Sequence, residues 1–235
     1  MDDHSRNRKI LQVTLAGLAL NLALSAFKCS AGYWGKSQAV LADGIHSLSD
    51  TVTDGALLVG MRFWNKPPDA DHPYGHQRLE TMVTIFIGLV LGAVGVRLLW
   101  NALSSLHIPS ASEVAPGKIA LLAALVSVGS KEWLYRWSLF WGKKTRSMAL
   151  SANAWHHRSD ALSSLPVVLA VGGTMIDPSW IFLDPLGAAL VSLFILRASY
   201  TICKDPLAQL MDKGMPLEDL KTLERIVWDI PGILG

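Results

Sequence analysis

Two stretches of the chain combine residue types that bind metal. "ADGIHSLSD" (Ala42 to Asp50) and "ANAWHHRSD" (Ala152 to Asp160) share one frame: Ala, Asp or Asn, two residues, His, two residues, Ser, Asp, offset by 110 throughout. On a helix, His46 and Asp50 stand one turn apart on one face, and so do His156 and Asp160. Imidazole nitrogen and carboxylate oxygen are ligands for Zn²⁺, which prefers four in a tetrahedron at about 2.0–2.2 Å. Two neighbouring helices, each offering one His and one Asp, can enclose such an ion, and the two carboxylates neutralise it. Without the ion the carboxylates repel each other and the site takes up protons, because coordination needs deprotonated ligands. Exchange of one metal ion for protons is the chemistry of an antiporter.

Other readings of the same residues compete with this one. In the plainest, each His hydrogen-bonds its own Asp inside a packed bundle. An intramembrane zinc hydrolase would need an open coordination position and a nearby general base, and no His-Glu-x-x-His sequence is present. A regulatory partner of a related transporter is the third, against which an intact set of four ligands argues.

Both pairs need helices that carry them into a membrane, and the composition supplies such helices. Hydrophobic residues make up 51% of the 235 and charged residues only 17%, against roughly 25% charged in soluble domains. Several windows reach the roughly 20 mostly apolar residues that span a bilayer. The expected fold is therefore an all-α integral membrane protein in the lipid bilayer. There an aspartate at helix centre is disfavoured by roughly 2.5–3.5 kcal/mol, so intramembrane ionisable groups are functional by default. The formal charge of +2, with no basic cluster interleaved with aromatics, gives no reason to expect a nucleic-acid partner. Cys29 and Cys203 lie too far apart for a zinc knuckle and read as small buried apolar residues. "MDDHSRNRK" does not read as a cleaved signal.

Six transmembrane helices are expected, over about 10–29, 37–64, 79–103, 117–144, 149–176 and 178–203, with 209–235 amphipathic and charged. Arg6, Arg8, Lys9, Lys66, Arg78, Lys143, Lys144, Arg146, Lys204 and Lys213 fall on one side of this plan. Lys36 and Lys118 lie in loops on the other, with Lys28 and Arg97 near span ends. The bias puts both termini in the cytoplasm. Asp43, Asn153, Ser49 and Ser159 are candidates to orient the ligands. Asp54 extends the polar stripe of span two, although four ligands already complete a tetrahedron. His157 points about 100° away from His156 and reads as packing. Lys131 and Glu132 are expected in helix packing or snorkelling to an interface. Asp184 reads as a structural polar contact, and Gly88, Gly92 and Gly95 as sites of close helix approach.

The two His-Asp motifs, together with "DADHPYGHQRLE" between spans two and three, resemble the cation diffusion facilitator family over about Leu11 to Gly235. The resemblance implies a six-helix transmembrane domain over 1–208 and a homodimeric exporter of divalent metal, working by alternating access with protons as counter-ions. It puts His46, Asp50, His156 and Asp160 on the transport-site positions, in the combination associated with zinc. Relatives of other metal ranges leave Cd²⁺, Co²⁺, Ni²⁺, Fe²⁺ and Mn²⁺ open, and no organic cofactor is implied. Asp71, His72 and His76 match loop positions of a peripheral metal site, whose plainer reading is a helix cap and turn with surface histidines. The expected location is a bacterial inner (plasma) membrane. Family members usually continue into a compact cytoplasmic domain. Here 209–235 resembles only its first helix and the start of its first strand, so the chain reads as cut short.

Overall fold

The structure is a computed structural model that describes residues 3–64, 69, 73, 75–76, 78–107, 116–211, 214 and 217–228. Among the described residues every regular element is helical. These are α1 (Asp3–Trp34), α2 (Gln38–Trp64), α3 (Arg78–His107), α4 (Lys118–Thr145), α5 (Met148–Ser163) and α6 (Leu165–Ile176). A 3₁₀ turn (Pro178–Trp180), α7 (Leu183–Leu210) and α8 (Leu217–Trp228) follow. Among the described residues four stretches are long and apolar enough to cross a membrane: Arg8–Trp34, Arg78–His107, Leu150–Ile176 and Leu183–Leu210. α2 and α4 have the length, at 27 and 28 residues, but each carries charges that dilute its apolar character.

Two boundaries differ from the sequence-based expectation. The fifth span is divided at Ser164 into α5 and α6. Pro166 is the second residue of α6 and has no N–H to offer the carbonyl four residues earlier, which is a common cause of a helix break. That carbonyl belongs to Leu162 and is met by the Ser164 N–H, which also bonds Asp160 O (3.2 Å), where the Ser163 hydroxyl donates as well (2.9 Å). The last long helix starts at Leu183 rather than Pro178, because Asp177 captures the Ser179 N–H (2.8 Å) and holds Pro178–Trp180 in a separate turn.

α1 and α2 form one hairpin, α4 and α5 another, and the two turn in the same way. Lys36 and Arg146 both adopt φ 51°. Ser37 N–H donates to Gly32 O, and Ser147 N–H to Gly142 O, each at 2.9 Å. Both serines then cap the next helix, accepting from Val40 N–H (3.1 Å) and Leu150 N–H (3.2 Å). A Cβ on Gly32 would collide with Leu41, and one on Gly142 with Ser151. Each of these matched positions is again offset by 110, so the repeat seen in the two motifs extends through the turns.

The two hairpins pack against each other head to tail. Gly117 N–H bonds Gly35 O (2.8 Å), Gly17 packs on Leu134, and the Lys9 ammonium lies over the Trp141 ring (4.5 Å). α1 and α4 are thus antiparallel, and the two turns lie at opposite ends of the bundle. α3 packs along α7, and α2 touches α7, α3 and α6 as well as α1. Small residues permit these approaches: a Cβ on Gly88 would strike Cys203, and one on Gly92 would lie 2.7 Å from Ser199 Oγ. In lipid such close packing and internal polar contacts, rather than the hydrophobic effect, hold helices together.

Candidate metal site

The α2 helix presents His46 and Asp50 with Nε2 and Oδ2 4.0 Å apart, and α5 presents His156 and Asp160 at 3.8 Å. These gaps are too long for hydrogen bonds, so neither histidine is tied to its own aspartate. They are slightly wider than the roughly 3.4 Å that two ligands at about 2.1 Å span across a tetrahedral ion. The two helices are linked beside the pairs, because Lys131 contacts both Asp160 of α5 and Ser47 of α2. Among the described residues, no three of His, Cys, Asp and Glu come close enough to hold one ion. The four side chains form two open pairs rather than one closed tetrahedron. The pairs also differ in access: the His46 side chain is 14% exposed and that of His156 is 49% exposed.

Two buried lysines that the motifs do not include share this region. Lys28, fully buried on α1, pairs with Asp43 Oδ2 at 2.9 Å and also donates to Asp43 O (3.2 Å) and Ser47 Oγ. The second oxygen of Asp43 accepts from Ser164 Oγ at 2.9 Å. Lys131, buried on α4, pairs with Asp160 Oδ2 at 3.4 Å and donates to Ser47 Oγ at 3.1 Å. Ser47 therefore accepts from both ammonium groups. Gly44 makes the first contact possible, since a Cβ there would meet Cys29 N at 2.8 Å and hold α1 off α2.

This arrangement corrects the expectation for Lys131, which neither snorkels nor merely packs but neutralises a motif carboxylate inside the bundle. Its neighbour Glu132 does lie towards the outside, accepting from Arg136 at 2.8 Å. The expected orienting residues do not touch the motif imidazoles: Asp43 serves Lys28, Ser49 donates to Ile45 O (2.9 Å), and Asn153 meets His157 Nε2 (3.2 Å). Ser159 is exposed, and His157 is buried, with its ring centroid 6.2 Å from that of His156. Asp184 is a structural contact, accepting from Ser37 Oγ (2.6 Å) and from the Gln38 and Ala39 N–H groups at the start of α2. In the loop, Asp71 and His72 lie outside the described residues. His76 sits 3.4 Å from Asp69, an acid absent from the expected set. The Asp54 side chain also lies outside the description.

The sequence carries one signal that could have found the lysines, namely a positive charge within an expected span, although at Lys131 the neighbouring Glu132 and Arg136 blur it. The apolar stretch ending near Cys29 places Lys28 close to a boundary, but α1 continues to Trp34 and takes the residue inside.

Comparison with known proteins decides the family. Residues 14–211 match the cation efflux transmembrane domain. The chain belongs to the cation efflux family, the cation diffusion facilitators. It is 35% identical to metal tolerance protein C1 of Arabidopsis thaliana, over 93% of this chain and 49% of that one. It is 37% identical to the manganese efflux system protein MneP of Bacillus subtilis, over 92% of this chain and 74% of that one. Identity to mitochondrial metal transporter 2 of Saccharomyces cerevisiae is 30%, over 91% and 49%. The chain thus spans about half the length of the plant and yeast relatives. Cation efflux proteins are transporters, so membership sets aside the hydrolase reading.

Proposed function

We propose that this domain exports a divalent metal cation, Zn²⁺ in the first instance, from the cytoplasm in exchange for protons by alternating access. His46, Asp50, His156 and Asp160 are the cargo's ligands. The observation that carries this reading is the pair of matched His-Asp sets on α2 and α5, each with a gap near the width of an ion, in a cation efflux fold. An arriving ion would draw the two open pairs together. Its departure would leave two carboxylates and two imidazoles able to take protons, which couples the opposed fluxes. The two head-to-tail hairpins give a scaffold in which the region between them can open towards either end.

In this reading all six long segments (α1, α2, α3, α4, α5 with α6, and α7) cross the membrane and both termini are cytoplasmic. Residues 1–208 form the transmembrane domain, and α8 opens a cytoplasmic segment over 209–235. The functional unit is a homodimer. Asp71, His72 and His76 form at most a peripheral site, with Asp69 as a further donor. Manganese is the second cargo reading, favoured by two relatives named as manganese efflux proteins.

The test is metal flux into proteoliposomes with an imposed pH gradient, run for Zn²⁺ and Mn²⁺ in competition. Asp50→Ala and Asp160→Ala should each abolish transport of whichever ion the native chain carries. Undiminished flux in both variants overturns the site, and a preference for Mn²⁺ over Zn²⁺ overturns the zinc assignment alone.

A further inference from the structure

Asp160 does not wait for cargo as a bare carboxylate. Its Oδ2 atom faces His156 Nε2 at 3.8 Å and Lys131 Nζ at 3.4 Å. The oxygen that would bind a metal together with His156 is therefore the one already held by an ammonium group. Lys131 comes from a different helix and is fixed there by a second bond, to Ser47 Oγ at 3.1 Å. Burial removes the option of turning out to water. Retreat towards Asp43 is also closed, because that carboxylate is occupied by Lys28 and Ser164.

We propose that the Lys131 ammonium is a tethered competitor of the metal: it neutralises Asp160 while the site is unloaded and must be pushed aside when the cation binds, so that it sets the affinity. The inference rests on Asp160 being a cargo ligand. A metal bound to Oδ2 at about 2.1 Å would lie no more than about 5.5 Å from Nζ in the present geometry. A doubly charged ion and an ammonium at that distance repel in an interior where screening is weak. The same repulsion favours release, which a transporter needs as much as binding. Among the described residues no lysine is hydrogen-bonded to Asp50. The α5 pair is therefore the half of the site that exchanges one cation for another.

The experiment is equilibrium binding of Zn²⁺ and of Mn²⁺ to the full chain in detergent micelles. It compares the native protein with Lys131→Met, Lys131→Arg and Asp160→Asn, each checked for folding by size-exclusion profile and thermal unfolding. Lys131→Met removes the competing charge and keeps the bulk, so affinity should rise at least tenfold. Lys131→Arg holds a carboxylate through a planar fork, so affinity should fall. A residue that merely held Asp160 in place would give weaker binding in the methionine variant instead, and that result overturns the proposal. If Lys131→Met fails to fold, Lys131→Arg decides: unchanged or tighter binding overturns the proposal. Asp160→Asn separates the two levels of the argument. Unchanged affinity there refutes the cargo site itself. Lost affinity there, with no gain in Lys131→Met, refutes only the competitor.

Discussion

The α1–α2 and α4–α5 hairpins share a turn, a cap and a metal-binding spacing, yet their interiors are charged in different ways. At matched positions the first hairpin has Asn21, Lys28, Asp43 and Ser47, and the second has Lys131, Ser138, Asn153 and His157. Each contributes one lysine, but at a different level. Lys28 neutralises Asp43, one turn before His46, and among the described residues no ammonium group is in hydrogen-bonding contact with Asp50. Lys131 neutralises Asp160 itself, and the position matching Asp43 is an uncharged asparagine. The repeated scaffold fixes where the ligands stand, while the residues that differ fix how easily each half gives up its resident cation. Both lysines meet at Ser47, so the two halves are joined by one polar cluster rather than by apolar packing alone.

The largest effect should come from breaking the pair that belongs to the first hairpin only. Removing one partner of a buried ion pair leaves an uncompensated charge and costs roughly 3–5 kcal/mol. Lys28→Ala should lower the thermal unfolding midpoint in detergent far more than Ser138→Ala at the matched position. The double change Lys28→Met with Asp43→Leu should recover most of the loss, since an apolar pair of similar volume replaces two compensated charges. Equal effects of Lys28→Ala and Ser138→Ala would show the two interiors to be equivalent after all.

The turns test the shared part of the comparison. Gly32→Ala and Gly142→Ala each force a Cβ against the following helix, 2.5 Å from Leu41 N and 3.0 Å from Ser151 N. Both should destabilise by about 1–3 kcal/mol, the first more than the second. Gly55→Ala and Gly129→Ala meet nothing within 4 Å and should be neutral or stabilising by up to about 1 kcal/mol. A Gly142→Ala variant as stable as Gly129→Ala would undo the claim that the two turns close in the same way.

A smaller difference is expected in access to the two imidazole positions. With 49% of its side chain exposed against 14% for His46, position 156 should react faster with a charged thiol reagent. His156→Cys should be modified several-fold faster than His46→Cys, each in a background with Cys29 and Cys203 replaced. Equal rates would place both halves in one environment.

The helical register of the pairs was legible because a spacing of four residues puts two side chains on one face whatever surrounds them. The 110-residue offset gave the repeat for the same reason, and Asp184 and the glycines of α3 behave as their setting implied. Partners from other helices were not legible. Nothing local distinguishes Lys131, which turns inward to Asp160, from a lysine that snorkels, because the difference lies in which face α4 turns towards α2 and α5. The break at Ser164 could have been read from Pro166, but the continuous apolar run on both sides masks it. The expected strand after α8 falls on residues outside the description.

The adjacent residues Lys131 and Glu132 offer the finest version of the comparison, because one residue of helix rotation separates the inside of the bundle from its surface. Glu132 accepts from Arg136 one turn away, and the arginine side chain is 75% exposed. Exposed pairs of this kind contribute roughly 0.3–0.5 kcal/mol on a helix. Glu132→Gln should therefore shift the unfolding midpoint by little and leave metal binding unchanged, while substitutions at Lys131 alter binding. If Glu132→Gln changes affinity as much as Lys131→Met does, charge on α4 acts on the site at long range. The contact between Lys131 and Asp160 would then lose its special standing.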